Sequence, residues 1–206
     1  MNSYPSLGMF AMIKKLTQQD YLKMPWKNKL GFTLQLACSH TNLDDFDWRL
    51  SIADVTQDGS FSRFPDKNRI ISVLNGEGII LKNKNTQHDE TLYLYDVFRF
   101  SGADEIYSEL VDGPIRDFNL IYNSVRYQAE LWVSTQPVFE NTFSHRTLIF
   151  IFNPNQTPVT VMVNNQAFDL DHFQSLLIQE QSNAQVKINA TEQSKYYVIT
   201  LRPTHE

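Results

Sequence analysis

The sequence predicts an all-β protein, a barrel or sandwich built from many short strands, on three observations. Its apolar residues fall in short runs or in period-2 alternation, and helical periodicity is scarce. Turn residues interrupt those runs about every ten positions, the spacing of strands in a sandwich or barrel. The composition is rich in strand-favouring rings, with 14 Phe, 9 Tyr and 3 Trp in 206 residues.

Thr33-Leu-Gln-Leu36, Asp47-Trp-Arg-Leu-Ser-Ile-Ala-Asp54, Arg69-Ile-Ile-Ser-Val-Leu74 and Gly78-Ile-Ile-Leu81 read as strands. Asp58-Gly59, Asn75-Gly76 and Asp112-Gly113-Pro114 stand between them as turn signals. Few and short helices are expected: Thr17-Gln-Gln-Asp20 reads as the cap of one turn over Tyr21–Met24, stopped by Pro25. A meander from Arg69 to Phe100 returns from Thr147 to Leu177, and its closing phrase Leu94-Tyr95-Asp96-Val97-Phe98 is similar to Leu170-Asp171-His172-Phe173-Gln174. Such a repeat predicts two stacked lobes, residues 1–127 and 128–206, with the seam near 128–140.

Several function classes are excluded. The formal charge is −5 and the longest basic block is Lys14-Lys15, so no clustered positive surface awaits nucleic acid. Cys38 stands alone, which rules out an intramolecular disulfide and a cysteine metal site. A lone thiol, no signal-peptide pattern in MNSYPSLGMFAMIKK and no membrane-spanning apolar run together predict a cytoplasmic protein that does not engage a membrane. Cys38 has no basic neighbour in sequence and is read as inert. Neither a Ser-His-Asp nor a Cys-His motif is present, nor a phosphate-cradling glycine loop.

The strand phrases sort residues by face. Alternation sends Trp48, Leu50 and Ile52 to one side and Arg49, Ser51 and Ala53 to the other. The second face suits either a pocket wall or a solvated surface. Asp117 and Asn119 likewise share a face. Trp26, Lys27 and Asn28 read as a loop that either caps a ligand or anchors the N-terminal segment.

Four phrases in order carry a resemblance: Pro25-Trp26-Lys27-Asn28, Phe46-Asp47-Trp48-Arg49-Leu50-Ser51-Ile52-Ala53-Asp54-Val55, Gly59-Ser-Phe-Ser-Arg-Phe-Pro65 through Arg69, and Asp112-Gly-Pro-Ile-Arg-Asp117-Phe-Asn119. Across residues 20–125 the chain resembles the HutD/Ves family, small bacterial proteins. The resemblance implies a two-lobed cupin-like (bicupin, jelly-roll) β-barrel with its pocket in the first lobe. The family pattern has a glycine-rich run and a Thr-x-Glu after the Trp-Lys-Asn phrase. This chain carries Lys29-Leu30-Gly31 and Thr33-Leu34-Gln35 instead, so one pocket charge is missing.

A metal-dependent cupin uses a His-x-His pair, a Glu seven residues before the hairpin glycine, and a further His. Counting back from Gly76 gives Arg69, while Ser62 and Phe64 fall near the histidine positions, and the five histidines have no metal-like spacing. No metal or other cofactor is expected. Arg69 has no lone pair for a cation but offers a planar fork of donors to a carboxylate. It is expected either to bind a small carboxylate or to close an ion pair with Asp117 or Asp54. The expected ligand-binding set is Arg69, Arg49, Ser51, Asn28, Lys27, Thr33, Gln35, Asp117 and Asn119. The family's link to histidine utilisation implies ligands such as urocanate or formylglutamate, bound by a non-catalytic protein that regulates catabolism or a stress response. The alternative is a metal-independent, isomerase-like enzyme using Asp117, Asp54 or His145 as base. Edge strands make a homodimer an expected state.

Overall fold

The central strands of this protein are buried on both faces, and that fact organises the molecule. The computed structural model describes residues 12–25, 31–40, 45–181 and 183–205. Strands β1 (Met12–Leu16), β2 (Leu22–Pro25), β3 (Phe32–Cys38), β4 (Trp48–Val55), β5 (Gly59–Ser60) and β6 (Asn68–Asn75) come first. They are followed by β7 (Ile79–Asn83), β8 (His88–Leu92), β9 (Val97–Ser101), β10 (Ile106–Leu110) and β11 (Ile115–Tyr122). The remainder comprises β12 (Tyr127–Ser134), β13 (Val138–Phe143), β14 (Thr147–Asn153), β15 (Val159–Val163), β16 (Gln166–Leu170), β17 (Gln174–Gln181), β18 (Ala184–Asn189) and β19 (Tyr196–Pro203).

A six-stranded sheet, β2-β3-β4-β11-β6-β9, faces the four-stranded sheet β5-β10-β7-β8 to make the first lobe. A five-stranded sheet, β1-β17-β14-β19-β12, faces β13-β18-β15-β16 to make the second. The two orders superimpose with β4–β11 matching β12–β19, so the repeat read from sequence is an eight-stranded unit used twice. Its turns match too. Tyr95 N–H donates to Val73 O and Phe173 N–H to Asn153 O, both at 2.8 Å, and both residues have positive φ. This places Tyr95 opposite Phe173, two positions away from the alignment of the two closing phrases. The hydrogen-bonded turn, rather than the run of similar letters, sets the register.

Turn chemistry fits the backbone. Asn164-Asn165 join β15 to β16 with φ of 45° and 71°, the two left-handed residues of a tight hairpin. Gly76 has φ 98°, and a Cβ there would lie 2.7 Å from Pro114 O, so only glycine fits.

Two sequence expectations are corrected. The short helices are absent among the described residues: Thr17–Asp20 is a turn closed by the Asp20 carboxylate on Thr17 N–H at 2.9 Å, and Leu22–Pro25 pairs with β3. Four residues cannot offset the cost of a helix nucleus when a sheet edge is available. Met12–Leu16, assigned to the 1–127 lobe, pairs along its whole length with β17 of the second-lobe sheet.

The six- and five-stranded sheets pack back to back. Trp48, Leu50, Ile52, Phe118 and Leu120 meet Phe150, Phe152, Tyr197, Ile199 and Leu201 in one shared core. Burying such side chains stabilises by roughly 1.5–3 kcal/mol each. Buried polar links accompany it: the Ser72 and Tyr197 hydroxyls lie 3.1 Å apart, both fully buried, and the Tyr21 and Ser175 hydroxyls lie 3.0 Å apart. Tyr197→Phe strands the Ser72 hydroxyl and should lower unfolding free energy by about 1–3 kcal/mol in a urea titration; unchanged stability would show that the link is not needed.

Candidate functional site

Strands β4, β11 and β6 turn one face to the shared core and the other into the first lobe, and the inward face is polar. In the ladder, Arg49 and Arg69 flank Ile121, and Asn119 lies between Ser51 and Ile71. The two arginines therefore sit two strand spacings apart, about 10 Å at the backbone. They open onto a cavity of about 600 Å³, also lined by Thr33, Ser51, Asp117 and Asn119. Ser62 and Phe64 line the same space.

Arg69 is 6 % exposed. Its Nη1 donates to Ser62 O at 3.2 Å and its Nη2 to Asn119 Oδ1 at 3.0 Å. Asn119 Nδ2 in turn donates to Asp117 Oδ2 at 3.4 Å. Asn119 thus stands between the charges, and the expected Arg69–Asp117 ion pair is not closed. Nor is the alternative with Asp54, which takes Arg116 Nε at 2.7 Å instead. Aromatic faces replace a carboxylate: the Arg69 guanidinium lies 4.8 Å from the Phe61 ring and 5.0 Å from Phe100. Arg49 lies 4.7 Å from Phe46 and 5.4 Å from Phe64. Such stacking holds a guanidinium while leaving its hydrogen-bonding edge free.

The charges are strained by burial. Desolvation brings Arg69 down to about 10, opposed by Asp117 and aided by the like charge of Arg49. Desolvation also lowers Arg49. Asp117, 2 % exposed, is pushed up to about 6 by burial, although Arg69, Asn119 and the Ala53 backbone favour its charged form. Arg69 Nε, Arg49 Nε, Asp117 Oδ1 and Gln35 Oε1 are buried with no hydrogen-bond partner among the described residues. An unpaired buried polar atom costs about 1–3 kcal/mol. Three of the four belong to residues that line the cavity, and Gln35 is paired opposite a further lining residue, Ser51.

The second lobe uses the same frame with different residues at the equivalent positions. By ladder equivalence Arg69 corresponds to Ile149, Asn119 to Val198 and Asp117 to Tyr196. All three are fully buried in that lobe's apolar core. The second lobe keeps a smaller hollow, about 270 Å³, lined among others by Glu130, Trp132 and Thr200.

Of the expected residues, Arg69, Arg49, Ser51, Thr33, Asp117 and Asn119 share the cavity. Gln35 stands beside it on β3, opposite Ser51. Lys27 and Asn28, with Trp26, lie outside the described residues. The face of Arg49, Ser51 and Ala53 lines a pocket rather than solvent. Sequence reasoning missed the clamps Phe61 and Phe100, whose signal was only aromatic richness. It also gave Cys38 no basic neighbour, whereas β3–β4 pairing sets Arg49 opposite it.

The donor set does not suit the resident transition metal of a functional cupin. The counted positions hold Ser62, Phe64 and Arg69, and among the described residues no three His, Cys, Asp or Glu side chains gather to hold a metal ion.

Comparison with known proteins follows the same line. A family model described as HutD matches residues 18–197. An uncharacterized 21.2 kDa protein in the hutC 3′ region of Pseudomonas putida is 46% identical over 122 residues, 59% of this chain and 64% of that protein's length. The protein Ves of Escherichia fergusonii is 30% identical over 138 residues, 65% of this chain and 71% of its own. The structure of HutD from Pseudomonas fluorescens SBW25, in a formate condition, superimposes with a TM-score of 0.79 at 30% identity, covering 93% of this chain and 99% of that one. With the family model spanning most of its length and a cupin-like all-β fold, this chain belongs to the HutD family.

Proposed function

We propose that the first lobe binds a small carboxylate and that the chain acts as a non-catalytic receptor in the cytoplasm, regulating histidine catabolism. The observation that carries this reading is Arg69, a buried guanidinium that lines the cavity and has, among the described residues, no carboxylate in ion-pair contact and no hydrogen-bond partner for its Nε. A ligand carboxylate supplies the missing partner, and its bidentate geometry matches the fork. A volume of about 600 Å³ suits a small organic acid. The relative in a hutC region supports the histidine connection; urocanate and formylglutamate are the first acids to try.

One observation favours a second reading. Asp117, raised to about 6 and one amide away from Arg69, has the proton affinity of a general base near neutral pH. In a metal-independent isomerase, Arg69 would hold the substrate carboxylate while Asp117 moved a proton. Turnover of a bound acid, lost in Asp117→Asn while binding persists, separates this reading from the receptor.

Calorimetric titration with urocanate and formylglutamate should show saturable binding, and Arg69→Ala should weaken it by at least about tenfold, the loss of a charge-assisted pair. No binding of either acid at about millimolar concentration contradicts the proposal.

Proton linkage gives a separate check. The folded-state pKa of Asp117 lies above its ordinary value, so its contribution to stability is fully present below about pH 4 and is lost as pH rises through about 6. Above that, its charge also opposes an incoming anion. Carboxylate affinity should therefore rise as pH falls from 7 to 5, and Asp117→Asn should flatten both profiles. A wild-type profile flat over that window in both measurements would mean that Asp117 does not titrate there.

A further inference from the structure

Near one end, the strands β4 and β11 that line the cavity also expose part of their opposite face, and it too is furnished. Asp54 and Arg116 face each other in the β4–β11 ladder, each one residue away from a pair that points into the first lobe, Ala53 and Asp117. They therefore point the opposite way, into a groove between the lobes. That groove consists of two hollows of about 630 and 320 Å³ sharing Phe32, Asp54, Arg116, His172 and Phe173.

We propose that this groove is a second binding site, for an α-amino acid zwitterion with a planar side chain. It is independent of the carboxylate site. Three features converge. First, Arg116 and Asp54 are only half-buried and are joined by one hydrogen bond, Nε to Oδ1. The Nη groups of Arg116 and Oδ2 of Asp54 have no partner among the described residues, which leaves a cation and an anion side by side for an α-carboxylate and an α-ammonium.

Second, the ring set is placed for stacking. The Arg116 guanidinium lies 5.5 Å from the Phe173 ring, and Phe32 and Tyr95 line the adjoining walls. Third, Tyr95 and Phe173 adopt φ of 71° and 57°, a conformation costly for bulky side chains. The turn they occupy demands positive φ, and Gly or Asn would meet that demand with less strain. Among the described residues, the other non-glycine residues at positive φ are Gln87, Asn164, Asn165 and Asn183. The chain instead places an aromatic ring at the equivalent turn of both lobes, and both rings line this one groove. Their inner faces pack on the shared core, which accounts for burial but not for the polar pair beside them.

The test uses the whole protein with L-phenylalanine as probe, titrated by ligand-observed NMR and calorimetry. 3-Phenylpropionate and 2-phenylethylamine, each lacking one charge, serve as controls, compared with the amino acid on Arg69→Ala so that the carboxylate site of the first lobe does not contribute. Saturable binding of L-phenylalanine is expected, with both analogues weaker by about tenfold or more, the loss of one charged hydrogen bond. Asp54→Asn, nearly isosteric, should weaken L-phenylalanine by a similar factor, as should Phe173→Leu, which leaves the ion pair intact. Arg69→Ala, in the other cavity, should leave that affinity within about twofold. The proposal is overturned by no saturable binding up to about 10 mM, by 3-phenylpropionate binding to Arg69→Ala as tightly as the amino acid does, or by loss of L-phenylalanine binding in Arg69→Ala.

Discussion

A guanidinium buried without a carboxylate partner is the constraint around which the first lobe is built. Arg69 cannot shed its charge at physiological pH, so the barrel has to supply compensation in other forms. It does so with a backbone carbonyl, the amide of Asn119 and the faces of Phe61 and Phe100. Each weakens the desolvation penalty without neutralising the charge. On the proposed reading, the remaining electrostatic deficit would give a small anion its driving force. Asp117 completes the arrangement from one step away: screened by Asn119, it balances the field of the arginine without occupying its donors.

The second lobe is the control experiment that the chain carries within itself. It has the same eight-stranded unit, the same hydrogen-bonded turns and the same shared core, yet Ile149, Val198 and Tyr196 fill the space where the first lobe has Arg69, Asn119 and Asp117. A filled barrel is the more stable solution, since apolar packing is favourable and leaves no polar atom unpaired. The first lobe departs from that solution at four buried atoms. The second lobe packs back to back with it, and the Ser72–Tyr197 link ties the two together.

Much of this was legible in the sequence because strand alternation is a local property. Trp48, Leu50 and Ile52 could be separated from Arg49, Ser51 and Ala53 by period alone, and Arg69 could be located by counting from Gly76, whose positive φ fixes the hairpin. What was not legible depends on partners distant in the chain. The pairing of Met12–Leu16 with β17 joins residues more than 150 positions apart. The interposition of Asn119, the rings on both guanidiniums and the neighbour of Cys38 all follow from ladder registers that no local pattern encodes. The short helix over Tyr21–Met24 failed for the same reason, since a sheet edge outcompeted a capped turn.

The central claim is that the free Nε edge of Arg69 receives a carboxylate. Arginine side-chain Nε–H resonances report that bond directly. Titrating isotope-labelled protein with a binding carboxylate should shift one such resonance downfield and protect it from solvent exchange, and Arg69→Lys should remove that signal from the spectrum. A carboxylate that binds while the Arg69 Nε–H resonance stays unmoved would contradict the account.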